Sequence, residues 1–380
     1  MSPTESANLP IHESLIVEYG MSIVATSNPD VKNKVQHVCD RLGFHITRGD
    51  LGSLLGVTSR SIEHFKDRIN VEVEKNPALL DVIDEYWTEL TISGNKITKI
   101  YSFRNARDNL SKIRDYIYTV KANEKLKFWE KYPYPLDEVE LLKCDNRQCF
   151  ASVTPYTLHD RTIDVALLLS AETYTATFDV KPEHLTDSGK ELLRASVEMI
   201  YKQRAVTQCY NTVIVDMEKE LLIISVDYSK LPRSETSRQF AGLYRFISKA
   251  GVPVPEPLNL FRAINPLYTR PDGRISMVSF LTADGNTSSL RLKADQECLK
   301  LDSYHHGGEL ASGVITKFKI HKLWNMKLQG GYESPIGVEL LGKKIMLDDT
   351  SEKLTDALIT DNTQLRHKIF IIEKLMEALR

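Results

Sequence analysis

The sequence predicts an α+β protein in which an N-terminal helical region with a β-hairpin precedes a mixed α/β domain and a C-terminal helix. Three observations predict it. Apolar residues recur at helical spacing from Val31 to about Val71. After residue 148 the runs turn strand-like, as in Thr162–Leu169 and Leu221–Asp227. Between the two lies Tyr132-Pro133-Tyr134-Pro135, whose closely spaced prolines break helices and mark a boundary.

In chain order, residues 1–30 are weakly patterned and read as an extension. The first region covers 31–131. Within it Tyr86–Ile92 and Ile97–Tyr101 read as two strands about a Gly94-Asn95 turn. Residues 105–131 read as one long helix, with Leu110, Ile113, Ile117 and Val120 at three- and four-residue steps. A linker spans 132–147, including a short helix at 136–143. The α/β domain covers 148–348. Strands are expected at Cys149–Thr154, Thr162–Leu169, Tyr174–Val180, Thr212–Asp216 and Leu221–Asp227, and at 274–282, 288–293 and 313–320. A helix is expected at Ser188–Arg204. Residues 349–380 read as an amphipathic C-terminal helix. Its stripe of Leu354, Leu358, Leu365, Ile369, Ile372, Leu375 and Leu379 suits packing within the chain, with homodimerisation as the alternative.

The totals exclude several classes. The 380 residues are 42% hydrophobic and 26% charged, ordinary for a globular chain. No apolar run approaches the roughly 18 residues that span a bilayer, and Met1–Asn8 lacks a secretory pattern. Five sparse cysteines argue against a disulfide scaffold. The expected location is the cytoplasm, with nucleoid association in a bacterium, and no membrane partner. With a net charge of −2, any nucleic-acid contact must come from local patches.

One such patch follows Thr47. Leu51 and Leu55 lie one helical turn apart, and Gly52 falls where two helices would cross. Gly56 permits the left-handed conformation of a tight turn, and Val57 fills the space beneath it. Thr47 and Thr58 are candidate helix caps, Asp50 suits a capping box, and Ile62 and Phe65 would pack a second helix on the first. Over residues 47–66 this run resembles the helix-turn-helix of the lambda Cro and repressor class. The resemblance implies a recognition helix beginning near Thr58 that enters the major groove of double-stranded DNA. By that pattern Ser59, Arg60, Glu63 and His64 face base edges, while Thr58, Arg48, Lys66 and Arg68 contact phosphates. A second basic patch, Lys96, Lys99 and Arg104 with Arg107, Lys112 and Arg114, would serve as a wing on the expected hairpin.

A catalytic candidate lies further on. Asp164 lies in one expected strand, in Thr162-Ile163-Asp164-Val165, and Asp179-Val180-Lys181 follows on the next. This spacing is similar to the PD-(D/E)xK nucleases. That resemblance implies Mg²⁺ held by Asp164 and Asp179, with Lys181 positioning the water and Glu138 or Glu140 as an upstream acid. The family's leading proline is absent before Asp164. Cys144, Cys149 and His159 lack the second pair that a zinc site needs. Tyr304–Glu309 reads as a surface loop. No nucleotide-binding glycine loop or nucleophile elbow occurs.

The first reading is therefore a sequence-specific duplex-DNA-binding protein, of transcription-regulator or replication-initiator type, needing no cofactor. Its C-terminal part would sense or assemble. The second is a Mg²⁺-dependent endonuclease targeted by the helix-turn-helix, as in restriction or phage defence. The third is a non-enzymatic protein-interaction module.

Overall fold

Helical spacing after Asp30 yields four helices: α1 (Val31–Leu42), α2 (Phe44–Leu54), α3 (Ile62–Lys75) and α4 (Leu79–Ser93). The computed structural model describes residues 30–145, 147–180, 185–195, 200–292, 297–312, 315–349 and 351–380. The 1–29 segment and Lys181 lie outside them.

The expected hairpin at 86–101 is replaced by the end of α4 and strand β1 (Lys96–Ser102). The aromatic and β-branched composition suggested a strand, yet Ile83, Tyr86, Trp87 and Leu90 follow a helical period and are all buried. Helix α5 (Arg107–Thr119) is shorter than expected. Val120 is already extended, and residues 127–130 form a separate 3-10 turn. The short helix α6 is Glu138–Leu141.

The strands that follow are β2 (Cys149–Thr157), β3 (Thr162–Asp179), β4 (Ile200–Asp216) and β5 (Leu221–Asp227), with helix α7 (Asp187–Ala195) between β3 and β4. Two expected strands, 162–169 and 174–180, are thus one continuous β3. The expected helix 188–204 ends at Ala195, and residues 200–204 belong to β4. Helices α8 (Thr236–Ile247) and α9 (Ile264–Thr269), strands β6 (Arg274–Leu281) and β7 (Thr287–Arg291), and helix α10 (Ser303–Ser312) come next. Strands β8 (Thr316–Lys327), β9 (Glu333–Leu341) and β10 (Ala357–Thr360) lead to helix α11 (Leu365–Ala378). The tail expected to be wholly helical therefore begins with a strand. His305, expected in a surface loop, is buried on α10.

Among the described residues the strands make one ten-stranded antiparallel sheet, ordered β2-β3-β4-β5-β1-β10-β9-β8-β6-β7. Strand β1 sits near its centre, with Lys96–Ser102 opposite Leu221–Asp227 on one side and Lys96–Thr98 opposite Ala357–Ile359 on the other. The sheet thus runs across the boundary expected at 132–147. The chain is α+β.

Both faces are covered, so β5 is buried throughout. Leu222, Ile224 and Val226 point towards α5 and α8. Leu221 and Ile223 point towards α9 and α11, in the same core as Ile369, Ile372 and Leu375. The stripe on the C-terminal helix therefore packs within the chain. Helices α1 to α4 close a third core over Leu167, Leu169 and Tyr210.

A candidate nucleic-acid interface on α3

Helix α2 starts three residues before Thr47, which does not cap it. Instead the Thr47 hydroxyl, inside the helix, donates to the Gly43 carbonyl at 3.0 Å. Asp50 is no capping-box residue either. It is fully buried, accepts from the Gly330 amide at 2.6 Å and from the Tyr86 hydroxyl at 3.0 Å, and so ties α2 to the β8–β9 turn and α4. Burial pushes its carboxyl up, against those two donors.

The turn after α2 follows the expected chemistry. Gly56 has φ +66°, and a Cβ on Gly52 would stand 2.5 Å from the Val57 carbonyl oxygen and 3.1 Å from the Phe65 ring. Leu51, Leu55, Val57 and Phe65 are buried together. The second helix begins later than expected. Ser61, not Thr58, is its N-cap, accepting from the His64 amide at 3.4 Å. Residues 58–61 form a non-helical approach to α3, in which Ser61 takes the β-region backbone of a cap.

Two residues expected on phosphates hold this approach in place. Arg48 donates to the Ser59 carbonyl at 3.4 Å, and Arg68 donates to the Thr58 carbonyl. The inner face of α3 is Phe65, Ile69 and Val73. The approach carries Thr58 and Arg60 and the outer face of α3 carries Glu63, His64, Asp67 and Arg68, all exposed, with Ser59 and Lys66 half-buried. The two acids on it are engaged. Glu63 pairs with Lys66 at 2.8 Å, and Asp67 pairs with Lys32 of α1 at 2.7 Å. Lys66 also reaches Gln36 at 2.9 Å. Among the described residues the Arg60 and His64 side chains make no hydrogen bond or ion pair. The Glu63–Lys66 pair was legible from its three-residue spacing. Lys32 was missed, since no local pattern ties it to Asp67.

The second basic patch is dispersed. Lys96 is 1% exposed, and its ammonium donates to the carbonyls of Thr91 and Tyr210. Lys99 is half-buried with its charge 4.6 Å from the centre of the Phe240 ring. Neither stands on a wing, because β1 is an interior strand. Arg104 remains exposed, beyond the end of β1.

The nuclease constellation is not assembled. Asp164 and Asp179 stand near opposite ends of β3, roughly 50 Å apart along an extended chain. Asp164 is 3% exposed and already accepts from Arg114 and the Tyr118 hydroxyl, both at 2.6 Å. Asp179 is exposed. Glu140 is held by Lys127 and Lys143, and Glu138 lies beside it on α6. These residues do not fit a shared Mg²⁺ ion. Among the described residues no group of three or more His, Cys, Asp or Glu is placed to hold a metal ion, Cys144, Cys149 and His159 included. No described helix is long and apolar enough to cross a membrane.

In comparisons with known proteins, no family model and no curated protein matches the chain.

Proposed function

We propose that the protein binds double-stranded DNA through a helix-turn-helix formed by α2 and α3, with the start of α3 laid in the major groove. It would act as a sequence-specific regulator or initiator. The observation that carries this reading is the charge arrangement on α3. A surface of mixed charge would repel phosphates, but Glu63 and Asp67 are each neutralised from within the chain. What stays free is Arg60, next to the Ser61 cap, and His64. The first amides of α3 add the positive end of its dipole, which favours an anion there.

In this reading Arg60 reads a base edge and pairs best with guanine. Arg48 and Arg68 keep donors for phosphate while bracing the approach to the helix. The anchoring of Asp50 to Gly330 and Tyr86 fixes α2, so α3 is presented by a rigid body and loses little entropy on binding.

The test is retardation of a labelled mixed-sequence duplex at low and moderate salt, with and without Mg²⁺. Intact, retarded DNA with a steep salt dependence is expected. Arg60→Ala should weaken binding about tenfold, within the usual range for one base contact. No retardation at low salt, or full binding by Arg60→Ala, would overturn the reading and leave α3 as a protein-docking helix.

A further inference from the structure

At one end of the sheet, the β2–β3 turn, the β4–β5 turn and the segment after β1 meet the edge of α11. They border an open-sided cavity of about 480 Å³, within the size range of small-molecule sites. Its floor is apolar, made by Leu221, Ile223, Ile369, Ile372 and Met376.

Its walls are fixed by one buried guanidinium. Arg161 donates to Asp216 at 2.8 Å, to Glu373 of α11 at 2.6 Å and to Asp160 at 2.9 Å. Asp216 in turn accepts from the amides of Glu218 and Lys219 at 3.1 and 2.9 Å. The turn carrying Lys219 is therefore held to the turn before β3 and to the helix. Such a network preorganises a pocket before anything enters it.

The rim is not balanced in the same way. Of the acids around the cavity, Asp160, Asp216 and Glu373 face Arg161, Glu220 faces Arg107, and Glu377 faces Arg270. Only Glu218 has no ion pair among the described residues. Arg104, Lys219 and Arg380 also line the cavity, and their side chains make no hydrogen bond or ion pair there. An apolar floor beneath three uncommitted cations suits a ligand with an apolar body and one anionic group.

We propose that this cavity binds a small amphipathic anion, an apolar ring or chain bearing a carboxylate, sulfonate or phosphate. Its apolar part lies on Ile223, Ile372 and Met376, and its charged group meets Arg104 and Lys219. The proposal does not depend on DNA binding, and its test contains no DNA.

The probe is 8-anilinonaphthalene-1-sulfonate, titrated into the folded full chain and followed by fluorescence. N-phenyl-1-naphthylamine, which keeps the rings and lacks the sulfonate, is the uncharged comparison. Saturable one-to-one binding of the sulfonate is expected, at least tenfold tighter than that of the amine. The double variant Arg104→Ala with Lys219→Ala should lose about tenfold for the sulfonate and little for the amine. Both side chains are exposed and unpaired, so an unchanged melting temperature confirms that the fold is intact. Met376→Trp, which fills the partly open floor, should block both probes. Absent sulfonate binding, equal affinity for the two probes, or binding indifferent to these variants would overturn the proposal.

Discussion

The outer face of α3 and the interior beneath α1 handle charge in opposite ways. On α3 the acids sit in water: Glu63 is 76% exposed although its partner Lys66 is 12% exposed, and in the Lys32–Asp67 pair the side chains are 49% and 56% exposed. In the interior, Arg41 and Lys96 act on Asp227 while Lys368 lies by Thr212, and none of these four charged groups is more than 8% exposed. Arg41 donates to Asp227 and to the Gln208 carbonyl, and lies 4.6 Å from the centre of the Tyr210 ring. Lys368 has Thr212 at 3.3 Å. Exposed pairs contribute little to stability and are free to serve recognition. Buried charges cannot reach a partner molecule and instead join α1, the sheet and α11. Lys66 and Lys96 are the same residue type, and both were expected on DNA. Lys96 is closed off in the core, whereas Lys66 sits at the surface edge, held by Glu63 and Gln36.

The largest expected effect breaks the buried set. Asp227→Ala leaves Arg41 and Lys96 in the core without their carboxylate, which should cost about 3–5 kcal/mol in urea unfolding. A loss below about 1 kcal/mol would mean that water reaches the cluster. Burial by itself pushes the Asp227 carboxyl up, but Arg41, Lys96 and the Tyr210 amide hold it well below the usual carboxylate range. A depressed carboxylate stabilises the fold above its unfolded pKa of about 4. That contribution is lost as pH falls through the folded value, so Asp227→Asn should flatten the acid limb of the stability curve.

A smaller effect comes from buried imidazoles. Burial lowers His367 to about 4, and does the same to His37 and His321. Each is kept neutral in the fold, while an unfolded histidine takes up a proton near 6.5. Stability is therefore full above about pH 6.5 and declines as pH falls towards 4. His367 is 2% exposed, so it should account for on the order of 2 kcal/mol of that decline. Chemical unfolding at pH 7 and pH 5 measures it. An equal pH 5 loss in His367→Gln would assign the slope to other groups.

What could be read from the sequence was local. Gly52, Gly56, Val57 and Phe65 act within a few residues of each other, and the structure places them as their spacing implied. The misreadings share a non-local cause. The stretch Ser170-Ala171-Glu172-Thr173 looked like a break between two strands, because polar residues favour turns. It runs straight through β3 because α8 supplies its partners: Arg238 pairs with Glu172, and Gln239 with Ser170. That one continuity moves Asp164 away from Asp179 and removes the expected metal pair. Lys96 was misplaced in the same manner, since the strands flanking β1 begin more than a hundred residues later. The cavity under α11 left no sequence signal, because its rim is assembled from four separate segments.

The smallest expected effect tests the surface half of the contrast. If Lys32 serves duplex binding only by masking Asp67, then Lys32→Ala should weaken retardation about threefold, because a bare carboxylate then faces the phosphates. The melting temperature should not change, since the pair is exposed. Adding Asp67→Asn should restore the lost affinity, as nothing is left to mask. A lysine that touched phosphate directly would behave otherwise. Its loss would lower the slope of affinity against salt by about one, and Asp67→Asn would not bring that slope back. Restoration without a slope change would identify internal neutralisation as the device that makes a mixed-charge helix acceptable to DNA. A persistent slope change would instead place α1 itself on the duplex and widen the interface from one helix to two.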